Sequence, residues 1–458
     1  MRFSHRARRS MRPLAFLLPA LLCVDVPATA APDERAAVDA AHAALGRRFL
    51  SPHGTLYDYA GLNGEVLEPT AEEAAALQPN ALSWGTPIEN GAFFGGLYLD
   101  ALCNRWRATG DDATARRAHQ IAGGLIRLAE VGQHPGFIAR GIAAGGTGYY
   151  PASSSDQTYP WFYGLCRYAT SGLPSAEQRA RVVALMVRVA RGLESNAWEM
   201  PIDRPDFGHF GHWLVGFAGT KGILVGAEPQ FDAATRLLFV LRALHHLTGD
   251  AQWLKLYRER LAEKPAGSDR TRLEICASGV EYVAPGEPPQ FPERPRLWTS
   301  ASSQAGLRAL SEWEDIPAVR AAFQRGLDAN ARRAAPFIAG YVAYDNHNAL
   351  AFDIRWRSMN SLWKPQTHIS EAVELGRAQK GENGPWGRQS PRFALESLRL
   401  RDPLFAAWVV ALSGNSAVIA SVRANIQGAL THFDWDRLYT STFFMAECVY
   451  WQLDHTSH

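Results

Sequence analysis

A recurring alternation constrains this chain most. A polar loop rich in aromatic residues leads into a helix of small and apolar residues, a short turn follows, and an amphipathic helix rich in Arg, Ala and Glu returns. The first unit reads as the loop Asn80–Glu89, the apolar helix Gly91–Ala108 and the return helix Ala113–Val131. The second has Tyr149–Ser155, Gln157–Ala169 and Ser175–Glu194. The third has Met200–His212, Trp213–Val225 and Ala233–Leu247, and the fourth has Leu297–Ser303, Gln304–Trp313 and Pro317–Ala331. A longer fifth unit opens with Tyr344–Trp363 and returns through Ser370–Arg377. The sixth opens at Asp434–Tyr439 and closes with the helix Ser441–Leu453. A helix touching neighbours on most sides must be apolar and rich in Gly and Ala, whereas one with a wet face must be amphipathic. Six such pairs predict an all-α fold in which six helical hairpins close into a ring, an (α/α)6 toroid. A helical solenoid is the alternative, but its units would share a constant period and consensus residues that these lack.

The segment Pro265–Pro295 interrupts the pattern with six prolines. Because the alternation resumes after it, it reads as a Pro-rich insertion in a single domain spanning 31–458, with a linker between two domains as the other reading. Residues 1–30 are distinct. Five Arg precede the short apolar run Leu14–Val24, and Ala28-Thr-Ala30 follows. That is the arrangement of a removable secretory peptide, so the mature chain is expected to be exported, to a periplasm or to the outside. No later run reaches the ~18 apolar residues of a membrane span.

Without those 30 residues, 42 Lys and Arg face 44 Asp and Glu. With neither a basic stripe nor a recognition motif, nothing points to nucleic acid as a partner. Cys103, Cys166, Cys276 and Cys448 fit no zinc spacing. Cys103, Cys166 and Cys448 sit in apolar helical runs where buried free thiols are common, although one disulfide is possible after export. No cofactor and no metal are expected.

In a ring of hairpins the six leading loops share one end, so their contents converge. They hold Glu89 after Trp84, Asp156 among Tyr149, Tyr159 and Trp161, and the pair His209 and His212. The fifth and sixth supply Asp345, His347, Asn348, Arg355, Trp363 and Tyr439. Aromatic faces suit the C–H surface of a sugar, and carboxylates, amides and imidazoles suit its hydroxyls. The expected partner is therefore an oligosaccharide or polysaccharide.

Glycoside hydrolysis needs one carboxylic acid to protonate the leaving oxygen and a second carboxylate as base or nucleophile. Glu89 and Asp156 are the candidates, each at the start of an apolar helix. Helix capping is the plainer reading of each, Asp156 above all. His209 and His212 read as sugar-binding or as loop packing; a metal site would need a further ligand and the His-Glu-x-x-His pattern is missing. Arg140 and Arg355 could take a uronate carboxylate through a bidentate fork.

Two of these loops resemble a known family. The stretch Glu89-Asn-Gly-Ala-Phe-Phe-Gly-Gly-Leu and the stretch Asp156-Gln-Thr-Tyr-Pro-Trp-Phe-Tyr-Gly-Leu are similar to the helix starts of six-hairpin glycosidases acting on uronic-acid sugars. Unsaturated glucuronyl hydrolases and β-glucuronidases of that fold are the members in question. A His at the third loop is also usual there, matched by His209 or His212. The first position is Glu where that family has Asp. The resemblance implies a hydrolase that removes a glucuronide-type residue, with Asp156 as proton donor and Glu89 as its partner. A polysaccharide lyase using Tyr159, His209 or His347 as base, a sugar epimerase, and a non-catalytic glycan-binding protein are the other readings.

Overall fold

The computed structural model describes residues 33–214, 230–286 and 297–456. The expected secretory segment 1–30, most of the expected helix Trp213–Val225 and residues 287–295 of the Pro-rich insertion lie outside them. Helices dominate. Among the described residues the one sheet is a two-stranded antiparallel pairing of β1 (Glu199–Pro201) with β2 (His209–His212). No described helix is long and apolar enough to cross a membrane.

The main helices are, in chain order, α1 (Glu34–Arg48), α2 (Gly91–Thr109), α3 (Asp112–Glu130), α4 (Ser155–Ala169) and α5 (Ala176–Ser195). Then come α6 (Gln230–Thr248), α7 (Ala251–Ala262), α8 (Arg272–Ser278), α9 (Leu297–Trp313) and α10 (Pro317–Ala334). The last four are α11 (Ile369–Lys380), α12 (Asp402–Ser413), α13 (Ser416–Thr431) and α14 (Met445–Thr456).

Burial separates them into two sets. Every residue of α12 is buried, as are Gly91–Arg105 of α2 and Gln230–Leu244 of α6. By contrast α3, α5, α7, α10 and α13 bury one face each. The buried helices are neighbours in the series α2, α4, α6, α9, α12, α14, and α14 packs against α2, where the series began. Three one-faced helices each pack on two successive members of that series, α3 on α2 and α4, α5 on α4 and α6, and α10 on α9 and α12, while α1 packs on α13 and α14. Glycine permits the tightest crossing. A Cβ at Gly96 of α2 would stand 2.0 Å from the Pro160 carbonyl oxygen, and one at Gly164 of α4 would stand 2.3 Å from that of Gly96. The two backbones touch because neither residue has a side chain.

The sequence-based units need correction at two places. The third buried helix is α6, expected as an amphipathic return helix; its polar residues Asp232, Thr235 and Arg236 are buried with the rest. The loop Met200–His212 before it is the β1–β2 hairpin. In the fifth unit, neither Tyr344–Trp363 nor Ser370–Arg377 forms the buried helix and its return. Those places belong to α12 and α13, separated by the left-handed Gly414 (φ 64°) and the Asn415 cap. The sequence Asp402–Ser413 is a nearly unbroken apolar run, the signature of a helix with no wet face. Ser370–Arg377 is helical, within α11, but 344–401 as a whole is an excursion in which α11 stands among short helical turns, ending in a π-helical turn, Ser397–Arg401.

The cysteine alternatives resolve toward thiols: Cys103, Cys166, Cys276 and Cys448 are all free and buried.

Candidate active site

A cavity of about 460 Å³ opens at the N-terminal ends of α2, α9 and α12. Three carboxylates (Asp58, Glu89 and Asp402) and two cations (Lys380 and Arg401) line it. The wall also includes Phe93, Phe94, Trp298 and Phe393 and the threonines Thr440 and Thr442. Two of these residues come from the start of α2, and the excursion 344–401 supplies Lys380, Phe393 and Arg401.

Asp58 sits in the loop after α1. Its N–H donates to Pro87 O at 2.8 Å and its carbonyl accepts from Ser441 N at 2.9 Å, so the backbone is clamped between two other loops. Both carboxyl oxygens accept from Asn90, from the backbone N–H at 2.7 Å and from Nδ2 at 2.5 Å. Asn90 is itself oriented, because Gln157 Nε2 donates to its Oδ1 at 2.8 Å. The other end of that amide accepts from Phe93 N at 3.0 Å, an N–H the first turn of α2 cannot satisfy internally. Phe93 N–H thus fixes the Gln157 amide, Gln157 fixes Asn90, and Asn90 presents two donors to Asp58.

Glu89 immediately precedes the α2 cap residue. Lys380 Nζ donates to Oε1 at 2.8 Å and to Oε2 at 2.6 Å, and Gly85 N–H also donates to Oε2 at 2.7 Å. Gly85 lies at φ +84°, where a side chain would be strained and would also meet Met359. Burial, and then the negative charge of Glu89, push the Asp58 carboxyl up to about 8; the Asn90 bonds and Lys380 oppose this. At neutral pH this favours the protonated form of Asp58, beside Glu89 and its Lys380 partner.

The loop carrying Thr440 and Thr442 has its own anchor. Glu396, fully buried, accepts from Thr440 N and Oγ1 at 2.8 Å each, from Tyr439 N at 3.2 Å and from Arg392 Nε at 3.0 Å.

Of the residues expected at the site, Glu89 is the one that lines this cavity among the described residues. Asp156 lies in the first turn of α4, half-buried, and accepts from Ser154 Oγ. Ser154, rather than Asp156, occupies the position before the helix. Arg140 is fully buried, and its donors go to Ala152 O, Glu89 O and Ser154 Oγ at 3.2, 3.3 and 2.7 Å. It ties the first and second loops together and does not line the cavity. Tyr159 and Trp161 are core: both are fully buried, and Trp161 Nε1 donates to Leu125 O at 2.7 Å. Nearly every face of α4 meets another element, which its polar-aromatic sequence does not announce.

His209 and His212 both approach Glu199 across the hairpin, at 3.2 and 3.4 Å. Burial lowers the His212 imidazole. Asp345 and His347 are exposed, and half-buried Asn348 donates to Asp345 O. Arg355 is exposed and chelated by Asp353 at 2.7 Å. Trp363 Nε1 donates to Leu77 O at 3.2 Å, and Tyr439 stacks on Phe352 with ring centres 4.7 Å apart.

Sequence reading missed Asp58, Lys380, Arg401 and Asp402. A signal existed for Asp58, which stands between Tyr57 and Tyr59 like the acids in the loops that were selected. Lys380 reads as an ordinary cation at a helix C-terminus. Among the described residues no group of three or more His, Cys, Asp or Glu could hold a metal ion.

Neither a protein-family model, nor a curated protein, nor a solved structure matches the chain.

Proposed function

We propose that this chain is a glycoside hydrolase built on an (α/α)6 toroid, releasing a uronic-acid residue from oligosaccharides at the cavity bounded by Asp58 and Glu89. The closed series of buried helices, with one-faced helices around it, supports the toroid. One observation carries the activity: the carboxyl groups of Asp58 and Glu89 share one aromatic-walled cavity, where Glu89 is paired with Lys380 and burial beside Glu89 pushes the Asp58 carboxyl up to about 8. A buried acid pushed up beside a second carboxyl that is paired with a cation is the arrangement an acid/base pair needs.

In this reading Asp58 takes the donor role that the sequence assigned to Asp156. The Asp58 proton passes to the glycosidic oxygen as the C–O bond breaks, and one water adds to the anomeric carbon while its proton goes to Glu89. The net change is addition of one water across the bond. Trp298 and Phe393 offer faces for the sugar ring, and Thr440 and Thr442 offer hydroxyls. A lyase based on Tyr or His is disfavoured, since no such residue lines the cavity among those described: Tyr159 is in the core, His209 pairs with Glu199, and His347 is on the surface.

The test is turnover of aryl glucuronides and uronic-acid oligosaccharides by the mature protein and by Asp58→Asn. Release of the saturated sugar by the wild type, with about a hundredfold or greater loss in the variant, supports the assignment. Near-native activity in Asp58→Asn overturns it. Saturable binding without turnover indicates a glycan-binding protein.

A further inference from the structure

Glu89 is clamped. Lys380 Nζ bonds both of its oxygens, at 2.6 and 2.8 Å, and Gly85 N–H adds a third bond at 2.7 Å. An oxygen so engaged is a poor acceptor for a proton from water, because the ammonium occupies the lone pairs and opposes the incoming positive charge. The resting site is therefore latched, and a reaction using Glu89 needs Lys380 drawn aside.

Lys380 is placed to move. It is the last residue of α11, followed by the turn Gly381–Gly384, and its side chain is 24 % exposed against 11 % for Glu89. Nζ lies 5.0 Å from the Phe393 ring centre on the cavity wall. Its flexible four-carbon stem can re-aim the ammonium, and the aromatic face supports the charge as it does so. The other cation is tied differently: Arg401 bonds Asp402 Oδ1 through Nε and Nη2, both at 3.0 Å.

A neutral hydroxyl cannot compete with a carboxylate for an ammonium at these distances. A second anion can, because the charge-assisted bond is exchanged and not merely lost. We propose that Lys380 is a ligand-operated latch: a carboxylate carried by the sugar captures the Lys380 ammonium and releases Glu89 to accept a proton. Discrimination for acidic over neutral sugars then resides in Lys380, and it is coupled to activation of the site. This rests on the hydrolase reading above.

Calorimetric binding of glucuronate and of glucose at pH 6.5 to the wild type, Lys380→Met and Glu89→Gln tests the latch independently of turnover. The latch predicts opposite signs for its two halves. Glu89→Gln frees the ammonium, so glucuronate binds about tenfold tighter than to the wild type, with glucose unchanged. Lys380→Met loses the preference for glucuronate, about tenfold or more. Circular dichroism of both variants matched to the wild type establishes that each is folded, and Lys380→Arg restores the preference in part. Weaker glucuronate binding to Glu89→Gln, retained preference in Lys380→Met, or no glucuronate binding to the wild type overturns the latch. Turnover separates the two ideas: glucuronide hydrolysis with a failed sign pattern overturns the latch alone, and absence of hydrolysis overturns the hydrolase reading.

Discussion

Replacing Asp58 by Asn changes how stability depends on pH. In the native protein Asp58 keeps its proton up to about pH 8, whereas in the unfolded chain it returns to the usual value near 3.8. Between those limits the native state binds one proton more than the unfolded state, so stability falls as pH rises. The contribution is fully present below about pH 4 and is lost as pH climbs through the folded value. One proton corresponds to ~1.4 kcal/mol per pH unit, hence roughly 3 kcal/mol between pH 5 and pH 7. The asparagine of the variant carries no such proton but has a fixed cost. It offers one acceptor where Asn90 presents two donors, and Asn90 cannot flip to relieve this because Gln157 and Phe93 hold it. That mismatch costs ~1–3 kcal/mol at any pH. Urea unfolding of both proteins at pH 5, 6 and 7, followed by tryptophan fluorescence, should show the stability of the wild type relative to the variant falling by roughly 3 kcal/mol across the series. A difference independent of pH would refute the idea that Asp58 is the protonated member of the pair.

Other consequences follow from the packing. Gly96→Ala drives a Cβ to 2.0 Å from a backbone oxygen of the neighbouring buried helix and should cost ~3 kcal/mol or more, whereas Gly123→Ala on the exposed face of α3 meets nothing within 4 Å and should gain up to ~1 kcal/mol; paired melts of the two variants check this. Glu396→Leu strands the buried Arg392 guanidinium and should cost ~3–5 kcal/mol, with Arg392→Met restoring part of the loss in the double variant; chemical denaturation of the single and double variants measures it. Reductant should leave the melting temperature unchanged, and the thiols of Cys103, Cys166, Cys276 and Cys448 should react with a thiol reagent after unfolding and not before.

The helical hairpins were legible because burial on all sides leaves a compositional trace. The Gly-rich run Gly91–Ala108 and the amphipathic Ala113–Val131 differ in the way an enclosed and a half-wet helix must differ. The trace failed where polar side chains are buried with partners. Asp232, Thr235 and Arg236 gave α6 the look of a surface helix, although Arg236 is inside, bonded to Ser155 Oγ at 2.9 Å. Aromatic content was a poor guide to the cavity, since Tyr159 and Trp161 of the second unit serve the core while Trp298, in the fourth leading loop, and Phe393 line the cavity. Glu89 was recoverable because it directly precedes a helix of the first unit. Asp58 carried a local signal between Tyr57 and Tyr59, but it precedes that unit, and its meaning comes from Asn90 and Glu89, some thirty residues later. Lys380 depends on an excursion of the chain whose course no local pattern encodes.

The most direct test of the account is mass analysis of the products when the mature protein is incubated with a uronic-acid oligosaccharide. The account predicts a saturated uronic acid, with product masses summing to the substrate plus one water, and loss of that product in Asp58→Asn. Products summing to the substrate mass, one of them unsaturated, would contradict it.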